Sequence, residues 1–126
     1  MLEGLLKEAL KNNSNVQIES AGTLDDEGQP AHEYSIACMD KLGIDIRTHR
    51  SRYVAKLDLT QFDLIVCMEQ VNANVVRQLP VGNAEVIVGN SPNGVDNPWE
   101  KGPQAYAVCI RTMEKVTADV VARYFP

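Results

Sequence analysis

The chain has 126 residues and a formal net charge of −5, long enough for one domain with a core and too acidic for a sequence-independent nucleic-acid surface or an anionic-membrane surface. Its three cysteines, Cys38, Cys67 and Cys109, are an odd count, and neither a secretory h-region nor an apolar run of bilayer length occurs. The expectation is a reduced, cytoplasmic protein without membrane contact.

In chain order, MLEGLLKEALKNN places Leu2, Leu5, Leu6, Ala9 and Leu10 on one face of a helix, with Glu3, Lys7, Glu8 and Lys11 mostly opposite. No capping Ser, Thr, Asp or Asn precedes it. VQIES alternates Val16 and Ile18 inward and predicts a short strand. After a loop, AHEYSIACMDKL predicts a helix stopped by Gly43 as a left-handed C′ residue. The segment from Gly43 to Gln61 is polar and mostly irregular. FDLIVCM and AEVIVG are continuous apolar runs that suit parallel strands covered on both faces, separated by the helical EQVNANVVRQL that ends at Pro80. A long Gly- and Pro-rich loop, GNSPNGVDNPWEKGP, leads into a final helix whose stripe is Tyr106, Cys109, Ile110, Met113, Val116, Thr117, Val120, Val121 and Tyr124. Alternating strands and helices imply an α/β domain, a doubly wound parallel sheet with helices on both faces and ligands beyond the strand C-termini.

The order and wording of these segments resemble the low-molecular-weight protein tyrosine phosphatase family, with the thioredoxin-coupled arsenate reductases as relatives. MLEGLLKEAL is similar to the helix that follows the family's phosphate-binding loop, and ESAGT to the end of its second strand. GQPAHEYSIACMDKLGIDIRTHRSRYV is similar to its helix and His-containing loop, and FDLIVCMEQVNANV to its third strand and next helix. The resemblance implies a phosphotyrosine protein phosphatase I-like fold of four parallel strands and phosphomonoester hydrolysis through a cysteinyl phosphate. The substrates it implies are a phosphotyrosine protein or a small phosphate ester, with no cofactor.

That chemistry requires a Cys, five residues and an Arg between a strand and a helix, so that a thiolate attacks phosphorus while backbone N–H groups and the guanidinium hold the oxygens. Six places beyond Cys38, Cys67 and Cys109 stand Ile44, Ala73 and Lys115, so the motif is absent from these 126 residues. The expectation is therefore a single domain, 1–126, truncated at the N-terminus relative to the family and lacking its first strand and nucleophile loop. A natural pseudoenzyme and a start placed too late are both consistent with this. The family's general acid is an Asp directly before Pro and an aromatic residue; in VDNPWEKG that place is Asn97, whose amide has no proton to give. Asp96 is a weak substitute, and Trp99 takes the aromatic position at the cleft mouth. His49, in RTHRSR, matches the histidine that orients the phosphate loop; without that loop it reads as a surface or half-buried histidine.

His32 reads as a surface residue, and Arg47, Arg50 and Arg52 as a solvated charged loop rather than an anion site. Ser20 and Thr23 suit either a phosphate site or a strand-end turn. Cys67 and Cys109 read as buried core thiols, and no zinc spacing is present. A missing internal strand would orphan backbone groups at about 1–3 kcal/mol each, against a net stability of roughly 5–15 kcal/mol. Either the flanking strands close up, or another copy lends an edge and the protein is a homo-oligomer through the exposed sheet gap. The expected function is a catalytically inactive phosphatase homologue. The alternatives are a binding or regulatory module using the Trp99 and His49 region and, less favoured, arsenate reduction.

Overall fold

The apolar run Leu64–Cys67 forms strand β1, which pairs in parallel with β2 (Glu85–Val88) in the register Leu64 with Glu85 through Cys67 with Val88. In this computed structural model, which describes all residues from 1 to 126, the helices around the pair are α1 (Leu2–Ala9), α2 (Glu33–Asp40), α3 (Gln70–Arg77) and α4 (Pro103–Tyr124). Two short 3-10 turns, Val54–Lys56 and Leu59–Gln61, precede β1. Side chains alternate across a strand, and both faces are covered as an apolar run demands. Ile65 and Cys67 pack with Ala73 and Val76 of α3 and with Val54 and Leu59. Leu64 and Val66 pack on the other face with Val116 and Val120 of α4 and with Leu2 and Leu6 of α1. A third cluster, Leu5, Met39 and Ile110, joins α1, α2 and α4.

Local sequence sets the ends of these elements. Gly43, at φ +74°, closes α2: its N–H donates to the Asp40 carbonyl and the Ile44 N–H to that of Met39, the paired bonds of a Schellman motif. α3 begins with a capping box between Glu69 and Asn72. α4 starts at Pro103, whose missing N–H is one the first turn does not need. α1 has Met1 at its N-cap and no side-chain cap, as its sequence implies.

Two expectations are corrected. Residues 16–20 keep the alternation of a strand, with Val16, Ile18 and Ser20 half-buried and Gln17 and Glu19 exposed, yet they form no strand. A strand is defined by its ladder, and the sheet contains only β1 and β2. The parallel direction survives at a single bridge just downstream, between Gly22 and Tyr53. Nor does this segment close up onto β1: the β1 edge away from β2 has no strand partner. With parallel pairing, Asp63 and Cys67 direct their carbonyls to β2, accepting from Glu85 and Gly89, which turns the polar groups of Leu64 and Val66 to the free edge. Only 16 of 126 residues are buried, a small core that fits an open-edged sheet. No helix is long and apolar enough to cross a membrane.

Candidate functional site

Beyond the C-terminal ends of β1 and β2 lies the loop from Gly89 to Gly102, and its fold starts from Asn90. At φ 55°, Asn90 accepts from the Gly94 N–H at 3.0 Å, and its side-chain Nδ2 donates back to the Gly94 carbonyl at 2.9 Å. The next residue, Val95, is 2% exposed within the α4 cluster, and its N–H donates to the Met68 carbonyl at the end of β1 at 2.6 Å. This anchor leaves Asp96 and Asn97 exposed at the outer turn. The Asn97 Oδ1 accepts from the Trp99 N–H at 3.1 Å, an Asx turn that fixes the loop tip and occupies one face of the amide.

Trp99 is 57% exposed, and its inner edge meets an aromatic group. The His32 ring lies 5.5 Å from Trp99 at 89°, and it stacks on Tyr106 at 5.0 Å and 17°. Tyr34 completes the group, 4.9 Å from His32 and 5.5 Å from Tyr106. His32 is also the N-cap of α2, its Nδ1 accepting from the Tyr34 N–H at 3.1 Å. It is therefore half-buried and structurally engaged, which corrects the surface reading. Three sequence-distant stretches supply this cluster, so only one local signal pointed to it: a His in the place before a helix where Ser, Thr, Asp or Asn is preferred.

His49 belongs to a different group of neighbours. It is half-buried in the loop after α2, and burial is the main reason its pKa lies below the ordinary histidine value. Glu3 opposes that shift, while the amino terminus of Met1, Arg52 and Lys7 add to it. Glu3 itself accepts from the Ser20 hydroxyl at 2.6 Å and from Lys7 at 3.0 Å, so Ser20 is held by α1. The arginines of the loop are all committed. Arg47 pairs with Asp40 and Asp45, Arg50 donates to the Arg47 and His49 carbonyls, and Arg52 pairs with Glu19 and donates to the Ser20 carbonyl. They do not form an anion site.

The thiols are spread over three elements and unpaired: Cys38 on α2, Cys67 on β1 and Cys109 on α4. Burial pushes the Cys67 thiol up, with Arg77 opposing. Burial likewise raises Cys109; the amino terminus opposes, and Cys38 and Asp96 push it further up. Both stay protonated at neutral pH, the wrong state for a nucleophile. No group of three or more His, Cys, Asp or Glu is arranged to hold a metal.

A family model for low molecular weight phosphotyrosine protein phosphatase matches residues 1–123. Among curated proteins no sequence matches significantly. Three solved structures share the fold at low identity. Wzb of Vibrio vulnificus in complex with benzylphosphonate is 19% identical with a TM-score of 0.85, over 97% of this chain and 87% of its own. A low molecular weight protein tyrosine phosphatase of T. tengcongensis is 22% identical with a TM-score of 0.86, over 97% and 88%. The YwlE arginine phosphatase of Geobacillus stearothermophilus is 18% identical with a TM-score of 0.83, over 97% and 81%. At such identities the likeness speaks for the fold alone, and the phosphatases that share it differ in the residue they act on. The α/β architecture and the match along nearly the whole chain together place this protein in the low molecular weight phosphotyrosine protein phosphatase family.

Proposed function

We propose that these 126 residues form a single low-molecular-weight phosphatase domain that does not turn over phosphate esters. The observation that carries this reading is the state of the thiols. None is followed six places on by Arg, and Cys67 and Cys109 are buried with their pKa raised. Supporting it, the acid position holds Asn97, whose carbonyl oxygen is bound to the Trp99 N–H. Asp96 is exposed one residue away, and acid catalysis requires hydrogen-bond reach to the leaving oxygen. The test is an assay of this chain with p-nitrophenyl phosphate: no turnover is expected, and Asn97→Asp produces none either, because an acid without a nucleophile has nothing to protonate. Turnover that co-purifies with the protein through successive columns overturns the proposal.

On this reading the fold serves binding, with the exposed face of Trp99 as the contact for a phosphotyrosine protein or a small phosphate ester, the ligand classes of the family. His49 feels Glu3 and Lys7 and stands outside the aromatic group, so on this reading it acts through the loop after α2. Arsenate reduction is disfavoured because a thiol relay needs cysteines that meet on a mobile segment, and these three lie on two helices and a strand. The free edge of β1 supports a further part of the reading, self-association into a homo-oligomer. Light scattering at micromolar concentration checks it; a monomer there removes this part and leaves the catalytic one standing.

A further inference from the structure

We propose that Asn93 is a site of spontaneous deamidation and that the anchor of the Gly89–Gly102 loop guards it. Deamidation of an asparagine is an attack of the next residue's backbone nitrogen on the side-chain Cγ, and it is fastest where that next residue has no Cβ to crowd the approach. The chain has nine asparagines, and Asn93 alone precedes a glycine. Electrophile and nucleophile are held very differently. Asn93 is exposed, and the side-chain hydrogen bonds of the loop belong to Asn90 and Asn97. Gly94 is buried: its N–H donates to the Asn90 carbonyl at 3.0 Å and its carbonyl accepts from Asn90 Nδ2 at 2.9 Å. It also lies so close to the end of β1 that a Cβ there would stand 2.8 Å from the Met68 oxygen.

The reaction needs the nitrogen that the anchor occupies. Gly94 N forms a bond to Cγ of Asn93, the bond from Cγ to Nδ2 breaks, and Nδ2 leaves as ammonia with the proton that Gly94 N gives up. The product is a cyclic imide. Water, the only co-reactant, then adds to one of its two carbonyls. Opening at Cγ gives an aspartyl residue, and opening at the backbone carbonyl gives an isoaspartyl residue whose main chain runs through the former side chain. While the anchor is closed, the Gly94 proton is bonded to a carbonyl oxygen in a buried turn, and bringing the nitrogen to Cγ means parting from Asn90. Opening of the anchor is a local unfolding, so it sets the rate.

The two products act differently on the loop. An aspartyl residue alters an exposed side chain and adds one negative charge to a chain already at −5. Isoaspartate adds a main-chain carbon between Asn90 and Gly94, so the bonds that Asn90 and Met68 make to Gly94 and Val95 do not all re-form. The loop then stays open, and Val95 no longer fixes where Trp99 stands. This holds whether or not Trp99 contacts a ligand.

The 126-residue chain is aged at neutral pH in native buffer and, in parallel, in urea, and the tryptic peptide from Gln78 to Lys101 is followed by mass spectrometry. The same peptide carries Asn83 and Asn90 as internal references. In urea Asn93 is expected to convert first. In the folded chain its conversion is slower by about tenfold or more, and the Gly94 amide is protected from hydrogen exchange, which reads the same opening. Asn90→Ala, which removes the bond to the Gly94 carbonyl, speeds conversion in the folded chain and leaves the rate in urea unchanged. Trp99 emission moves as isoaspartate accumulates, whereas Asn93→Asp, a mimic of the aspartyl product, leaves it in place. Equal rates in buffer and urea, Asn83 or Asn90 converting ahead of Asn93 in urea, a freely exchanging Gly94 amide, a folded Asn90→Ala that converts no faster, or Trp99 emission indifferent to isoaspartate each overturns the proposal. The native and urea rates belong to the unmodified chain, so they decide the matter even where a variant folds poorly.

Discussion

Glu3, in the first turn of α1, accepts a 2.6 Å hydrogen bond from the hydroxyl of Ser20, joining the helix to the extended segment that lacks a sheet partner. Burial alone would raise the Glu3 carboxyl, but Ser20 and Lys7 outweigh it and hold the pKa below the ordinary range. Ser20→Ala removes a hydrogen bond to a charged acceptor, and a loss of about 1.5 kcal/mol at pH 7 is expected from urea unfolding. The sign follows from the depressed pKa: the stabilisation is complete above the unfolded pKa and disappears as pH falls through the folded one. The difference between Ser20→Ala and the parent should therefore shrink below about pH 4. An equal difference at pH 7 and pH 3 would mean that the bond is not to a carboxylate.

Much of this arrangement was legible in the chain. The α4 stripe was readable because one face of a long helix repeats locally, and the structure buries Tyr106, Cys109, Ile110, Val116, Thr117 and Val120 from it. Gly43 was readable because a left-handed stop depends on one residue and its neighbours. Val16 and Ile18 show the limit of such reading. Their alternation specifies which way side chains face, and it is present, but a ladder is a property of two segments and no other segment pairs with this one as a strand. The site divides in the same way. Trp99 and Asn97 lie in a loop that announces itself, whereas the group of His32, Tyr34, Trp99 and Tyr106 forms only when α2, the loop and α4 meet.

His49 predicts a second pH dependence. Burial comes first among the causes that lower its pKa, so between the folded value and about 6.5 the unfolded chain binds more protons than the folded one. Stability contributed by the neutral ring is complete above about pH 6.5 and falls as pH drops through that window. In urea unfolding at pH 8, 7, 6 and 5, His49→Gln should lose part of the slope between pH 7 and pH 5. Parallel pH profiles for parent and variant would show that the ring titrates as it does in water.

Thiol reactivity separates the three cysteines. Cys67 and Cys109 are each 5% exposed with raised pKa values, whereas Cys38 is half-buried on α2. With 5,5′-dithiobis(2-nitrobenzoate) in native buffer, Cys38 should react first and the other two on the order of tenfold slower or less readily still, since attack needs an accessible thiolate. Peptide mapping after a short exposure identifies the labelled site. Cys109 reacting ahead of Cys38 would reveal an accessible thiol beside Asp96 and remove the main support for an inert domain.

Gly94 and Gly43 share φ +74° but differ in what surrounds them, and that contrast isolates the packing of the site loop. A Cβ on Gly43 meets nothing within 4 Å, so Gly43→Ala bears only the left-handed strain, about 1 kcal/mol. A Cβ on Gly94 would stand 2.8 Å from the Met68 carbonyl oxygen and 3.6 Å from the Glu69 Cα. Backbone cannot swing aside as a flexible side chain does. The Met68 oxygen also accepts from Val95, and the Asn90 side chain donates to the Gly94 carbonyl, so any retreat loosens the bonds that anchor the loop. Gly94→Ala should therefore cost about 2–3 kcal/mol by urea unfolding, roughly twice the loss at Gly43 or more. Because Val95 is the link between this anchor and Trp99, the Trp99 emission should move in Gly94→Ala and stay unchanged in Gly43→Ala. Equal losses at the two glycines would mean that the close approach of Gly94 to β1 contributes nothing, and that the loop is held by Val95 packing alone.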